Sequence, residues 1–110
     1  MSSLSTHVLN TVSGRPAQGV TLRLSGAQGI LFTGVTDADG RCPALRSLEL
    51  AAGAYCLEFE VAAYFRQQGI PLADPPFLDC VPIHFGLGGS GHAHVPLLVA
   101  PYAYSTYRGS

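Results

Sequence analysis

The chemistry open to this chain rests on four histidines, an arginine beside a turn, and an aromatic, cationic tail. His92 and His94 stand two apart in "HAHVPLLV", and on a strand that spacing sends both imidazoles out of one face. His7 lies in the apolar run "THVLNTV" and His84 in "LDCVPIHFGL". An imidazole titrates near physiological pH, so it can take up or release a proton during a reaction. Taken singly, each histidine reads as a half-buried polar residue with a local hydrogen bond. The H-x-H pair with a third histidine could also hold zinc through three imidazoles and a water. Arg41 directly follows the turn "DADG". It is either an exposed hairpin arginine or a fork that grips a planar, anionic heterocycle. The chain ends in "YSTYRGS", with Tyr107, Arg108 and Ser110 inside its last four positions, where chain ends are ordinarily frayed.

Other chemistries find little support. There is no G-x-S-x-G elbow, and Ser5, Ser105 and Ser110 lie in no nucleophile motif. Cys42, Cys56 and Cys80 are odd in number and lack CxxC spacing, so they read as reduced, buried thiols of a cytosolic protein. "GLGGSG" does not open a helix and reads as a hairpin loop rather than a phosphate cradle. All six basic residues are arginines, dispersed along a chain of net charge −1, which argues against a nucleic-acid stripe. No apolar run approaches membrane-spanning length. "MSSLSTHVLN" lacks the basic and apolar regions of a secretory signal, and "RGS" is not a peroxisomal address. The expectation is a cytoplasmic protein with neither nucleic-acid nor membrane partners.

The elements that must position these residues are short. Gly or Pro punctuates the chain every eight to twelve residues, with alternating runs between, which predicts an all-β sandwich or barrel. The 110 residues form one domain, 1–110, with no repeat or linker. "VTLRLSG" turns Val20, Leu22 and Leu24 toward the core, and "AYCLEFEV" turns Tyr55, Leu57 and Phe59 inward with Glu58 and Glu60 outward. "EVAAYFRQQG" changes period: Val61, Tyr64, Phe65 and Gln68 fall at helical spacing, ended by Gly69 and Pro71. "LADPPF" is a loop. "LDCVPIHFGL" and "HAHVPLLV" are strands whose prolines predict edges or bulges, and "YAYSTY" is the last strand. Charged residues are only 12% of the chain against 47% apolar. That balance favours an oligomer, because the chain hides more surface than its own core needs.

Three stretches carry a family resemblance: "STHVLNTVSGRPA", "TDADGR" and "HVPLLVAPYAYSTYRGS". In that order they resemble the transthyretin-like 5-hydroxyisourate hydrolases, and the helix "AAYFRQQG" looks like that family's single short helix. The Y-R-G-S terminus is the mark that separates these enzymes from hormone-carrying transthyretins. The resemblance implies an all-β, two-sheet, eight-stranded sandwich with one short helix. It implies a homotetramer, a dimer of dimers, with active sites at the dimer–dimer interface. It also implies cofactor-free, metal-free hydrolysis of the small molecule 5-hydroxyisourate, a urate oxidation product, to a carboxylated ureidoimidazoline. Carried over by position, His7, His94 and Ser110 are the implied catalytic residues, with Arg41 and Tyr107 contacting substrate. His92 and Arg108 would stand behind them, and His84 matches no functional position. The chain departs from the family's H-Y-H in having Ala93 between the two histidines, which bears on the packing behind His92. A small-molecule carrier of the same fold is the alternative reading.

Overall fold

The computed structural model describes all 110 residues. In chain order the strands are β1 (Ser3–Ser5), β2 (Val8–Asn10), β3 (Arg15–Pro16), β4 (Thr21–Gly26), β5 (Gly29–Val35), β6 (Gly53–Glu60), β7 (Cys80–Leu87), β8 (His92–His94), β9 (Leu97–Ala100) and β10 (Ala103–Thr106). A 3₁₀ turn (Pro43–Ser47) precedes β6, and the helix α1 (Val61–Gln67) follows it. Two four-stranded sheets, ordered β10-β9-β2-β3 and β5-β4-β6-β7, face each other, and β1 and β8 form a short two-stranded extension. The expected strand "HAHVPLLV" is broken at Val95-Pro96 into β8 and β9. The N-terminal strand is broken in parallel at Thr6-His7. Counting each broken pair as one bent strand reduces the ten segments to the eight the family resemblance implies.

Apolar alternation accounts for the core. Val20, Leu22, Leu24, Leu57 and Phe59 are fully buried, as their period of two requires. Leu4, Val8, Leu97 and Val99 supply the opposing layer. On α1, Val61, Tyr64 and Phe65 are buried at helical spacing, whereas Gln68, just past the helix, is exposed. The carbonyl of Asp79 accepts the N–H groups of Val61 and Ala62, both at 3.1 Å. It so satisfies donors that a helix start leaves free. The Asn10 side chain, buried where "THVLNTV" leaves its strand, donates to Tyr64 Oη at 3.1 Å and accepts from Val12 N at 2.9 Å. That hydrogen bond fixes the helix to the opposite sheet. β7, which carries Pro82, lies at a sheet edge, where a missing N–H costs no ladder bond. Of the cysteines only Cys42 is buried; Cys56 and Cys80 are half-buried on the β6–β7 pair, because the outward face of that sheet has no layer above it.

Two glycines share one left-handed conformation and differ in surroundings. Gly14 and Gly40 both have φ of +72°; a Cβ on Gly14 would meet nothing within 4 Å, while one on Gly40 would come within 2.5 Å of the Val8 carbonyl oxygen. Gly14→Ala should therefore cost only the left-handed backbone penalty, about 1–2 kcal/mol. Gly40→Ala should cost clearly more, since Val8 lies in the buried layer. Denaturant unfolding of the two variants beside the parent measures the difference, and equal losses would show that the contact at Val8 is relieved at no cost.

Candidate functional site

The site is built on one outward face. In the parallel pair β1–β8, Ser3 lies opposite His92, Leu4 opposite Ala93 and Ser5 opposite His94. Leu4 and Ala93 are buried, so the period of two turns both serines and both histidines the other way. Their side chains join in a row. Ser3 Oγ lies 2.6 Å from His92 Nδ1, Ser5 Oγ lies 2.8 Å from His92 Nε2, and Ser5 Oγ lies 2.7 Å from His94 Nδ1. His94 Nε2 has no partner within the chain, and no buried side-chain nitrogen or oxygen is left unpaired. That nitrogen therefore opens to the cleft.

His7 and Arg41 meet at the break in the N-terminal strand. The Thr6 hydroxyl donates to the Val95 carbonyl at 2.7 Å, and the next residue, His7, forms an antiparallel bridge with Arg41. The turn before Arg41 is held by one carboxylate. Asp37 Oδ1 accepts from Asp39 N at 2.9 Å and from Arg41 N at 3.0 Å, while Asp37 N donates to the Arg41 carbonyl at 2.7 Å. An aspartate that bonds to the backbone two residues on favours such a turn. Val8 N donates to the Gly40 carbonyl at 2.8 Å, which ties the turn to β2.

The tail closes the site. β10 runs antiparallel to β9, with Thr106 opposite Leu97, and the same register carries on to Gly109 opposite His94. Gly109 N donates to the His94 carbonyl at 2.8 Å. Pro96 has no N–H to offer this edge, and the Thr106 hydroxyl instead donates to the Pro96 carbonyl at 2.7 Å. A side chain on Gly109 would overlap Cδ2 of the His94 ring, so glycine is what lets the tail lie against the imidazole.

These parts enclose an open cleft of about 580 Å³ lined by Ser5, Arg41, Arg46, His92, His94, Tyr107, Gly109 and Ser110. The chain thus gathers His92, His94, Arg41, Tyr107 and Ser110 in one place, with His7 bridged to Arg41 at its side. Arg108 faces elsewhere. With His84 it lines a separate cavity of about 220 Å³ beside Ala93 and Val95, because alternation along the tail turns it away from Gly109, and no ion pair ties it to the terminal carboxylate. Ser3 and Arg46 escaped the sequence reading, and Ser5 entered it only as a serine in no nucleophile motif. The serines had a signal in the matching S-x-S and H-x-H spacings; Arg46 had none, since its place depends on the 3₁₀ turn. No three side chains of His, Cys, Asp or Glu gather within the chain in a metal-holding group. The His94 pKa is lowered from its ordinary value, first by burial and then by the charges of Arg41, His7 and His92.

Residues 4–109 match the HIUase/Transthyretin family model. The 5-hydroxyisourate hydrolase of Caulobacter vibrioides is 49% identical over 115 residues, with 100% of both chains covered. The solved 5-hydroxyisourate hydrolase of Klebsiella pneumoniae superposes with a TM-score of 0.88 at 42% identity, again covering 100% of each chain. Sea bream transthyretin, solved in complex with thyroxine, gives a TM-score of 0.85 at 33% identity over 97% of this chain and 94% of that one.

Burial and the Arg41 charge both oppose a proton on His94, so the ring should be neutral at pH 7 and titrate below the ordinary value of about 6.5. In Arg41→Gln one of these charges is gone, and the His94 midpoint should move up. Histidine ring resonances followed by NMR from pH 4.5 to about 8 read it directly. An unchanged or lower midpoint would show that Arg41 does not act on His94. In stability terms the unfolded chain binds the His94 proton first as pH falls, so stability that this ring contributes above about pH 6.5 is lost as pH falls below that value and through the lower folded one.

Proposed function

The chain belongs to the HIUase/Transthyretin family, and we infer that it is an enzyme that hydrolyses 5-hydroxyisourate to 2-oxo-4-hydroxy-4-carboxy-5-ureidoimidazoline, a step of urate degradation. Full-length hydrolase relatives support the reading, and the carrier alternative is not favoured. The observation that carries the reading in this chain is the cleft that brings an open His94 Nε2, Arg41 and the Ser110 terminus together. A carrier's pocket needs shape; it has no use for proton-transfer groups beside a guanidinium fork.

The substrate is small, flat and rich in carbonyl oxygens. Arg41 holds it through paired N–H donors, and Tyr107 lies on or hydrogen-bonds to its ring. Water adds to the ring carbonyl as a neutral histidine takes its proton. The carbon–nitrogen bond then breaks, the nitrogen receives a proton, and the ring opens to leave the new carboxylate on the product. His7 and His94 are the two catalytic histidines, and the Ser110 hydroxyl orients the water. His92 stands behind His94, and Arg108 faces away from this cleft. Water is the only co-reactant, so the reaction as written calls for no cofactor.

Oligomerisation fits the surface. The strand β10 is exposed along its length and forms one sheet edge, and Tyr102, Tyr104 and Tyr107 are 63%, 44% and 60% exposed. We propose the homotetramer, with the cleft completed between dimers and the enzyme working in the cytoplasm. No helix is long and apolar enough to cross a membrane.

Ultraviolet decay of freshly generated 5-hydroxyisourate should be far faster with the protein than without it; a rate equal to the spontaneous one overturns the reading. His7→Ala and His94→Ala should each lose about 10²–10⁴-fold in kcat/KM, with the mass by light scattering unchanged at about four times 11.5 kDa. Activity should rise with pH along an acid limb whose midpoint lies below about 6.5, in line with the lowered His94 value. Removing Tyr107 to Ser110 should abolish turnover while the melting transition persists. Full activity without those residues would make the tail mere packing.

A further inference from the structure

The row Ser3–His92–Ser5–His94 contains one hydroxyl with two nitrogen neighbours, and that arithmetic constrains its protons. Ser5 Oγ lies 2.8 Å from His92 Nε2 and 2.7 Å from His94 Nδ1, both within hydrogen-bond range. A serine has one proton to donate and must accept on its other side, and a neutral imidazole has one N–H and one bare nitrogen. If Ser5 donates to His94 Nδ1, then His94 carries its proton on Nε2. His92 must then donate to Ser5 from its own Nε2, leaving His92 Nδ1 to accept from Ser3, 2.6 Å away. If Ser5 donates to His92 Nε2 instead, every bond in the row reverses. Both rings then carry their proton on Nδ1, and His94 Nε2 presents a lone pair to the cleft. Mixed arrangements put two lone pairs, or two protons, face to face across a short contact.

From this geometry we propose that Ser5 is a proton bridge that couples the tautomers of His92 and His94, so that His94 switches from base to acid as the row reverses. The coupling is a property of the free chain; its catalytic use rests on the hydrolase reading. In the base form, His94 Nε2 takes the proton of the attacking water. The Nδ1 proton of His94 passes to Ser5 Oγ as the Ser5 proton passes to His92 Nε2. The Nδ1 proton of His92 then passes to Ser3 Oγ, and the Ser3 proton leaves to solvent. One proton enters and one departs, and no electron changes hands. The row is left in its reversed form, with Nε2–H of His94 aimed at the cleft, ready to protonate the departing nitrogen. The charges that lower the His94 pKa are Arg41, His7 and His92; Arg46 and the Ser110 chain end, with its carboxylate, line the same cleft. The three that act on His94 are cationic or can become so, which favours passing a proton along the row over storing a second charge beside Arg41. Ser5 is a positioning residue, acting through His94.

Imidazole nitrogen NMR on the free, full-length protein above pH 7 reports the tautomer of each ring without any substrate. The expected result is equal Nε2–H fractions for His92 and His94, moving together with temperature. Ser5→Thr, which keeps the hydroxyl, should preserve the match, and Ser5→Ala should let the two fractions part. In the decay assay, Ser5→Ala should lower kcat by about 10–100-fold with KM little changed. A kcat that curves with deuterium fraction in the parent, from several protons moving, should become linear in the variant. Unequal fractions in the parent overturn the coupling, and a variant with the parent's kcat and the parent's curvature overturns the relay. If Ser5→Ala does not fold, the parent's tautomers and Ser5→Thr still decide the coupling. A protein with matched tautomers and no hydrolysis would sink the assigned reaction and leave the coupling standing.

Discussion

Parallel pairing of the N-terminal strand with the strand that carries His92 and His94 is the contact on which the rest of the site depends. It holds one register on both sides of a break, Ser3 with His92 before it and Val8 with Leu97 after it. A slip of one residue would exchange the two faces of a strand. If the N-terminal strand slipped, Leu4 would turn outward, and Ser3 and Ser5 would meet the apolar layer, away from the histidines. Burial of Leu4, Val8, Leu97 and Val99 therefore fixes the proton-bearing row as firmly as it fixes the sandwich. At roughly 1.5–3 kcal/mol for each large aliphatic side chain, that layer outweighs the hydrogen bonds it aligns, each worth about 1 kcal/mol net.

The break itself has a function in the architecture. An unbroken ladder would spend every backbone group of the N-terminal strand on its two neighbours. Here the Thr6 hydroxyl serves the Val95 carbonyl, and His7 pairs with the turn that carries Arg41. Pro96 does the same on the other edge, where the Thr106 side chain replaces a ladder bond and the tail resumes in register at Gly109. Two threonines thus satisfy carbonyls at a point where three segments, residues 3–10, 37–41 and 103–110, must converge. Buried carbonyls left without donors would be costly there.

Period-two alternation made the sandwich legible in the sequence. Val20, Leu22, Leu24, Leu57 and Phe59 declared a core face, and the change of period at Val61, Tyr64 and Phe65 declared the helix. The turn at Asp37–Arg41 was equally plain, since its chemistry is local. What stayed hidden was non-local. Nothing near Ser3 or Ser5 says which strand, 89 positions away, will lie beside it, and parallel partners leave no hairpin to betray them. Arg46 was hidden because a 3₁₀ turn, not a strand, aims it. The family resemblance brought Arg108 in as a neighbour of the site. The tail's own alternation, with Tyr107 and Gly109 on the cleft side, points it toward His84 instead.

The fold by itself does not separate a hydrolase from a carrier. Sea bream transthyretin, solved with thyroxine, shares this sandwich at a TM-score of 0.85, so the sheets are common ground and any difference must lie on what their outer faces bear. In this chain the bent strands expose S-x-S against H-x-H, and a glycine lets the tail close over an imidazole. Burial and nearby cationic charge then lower the His94 pKa and oppose its cationic form, and its Nε2 has no partner in the chain. A pocket that only binds gains nothing from holding a basic nitrogen open beside cationic charge. A site that must take a proton and return it needs that nitrogen free. The core holds the row in register and leaves this one atom open to the cleft.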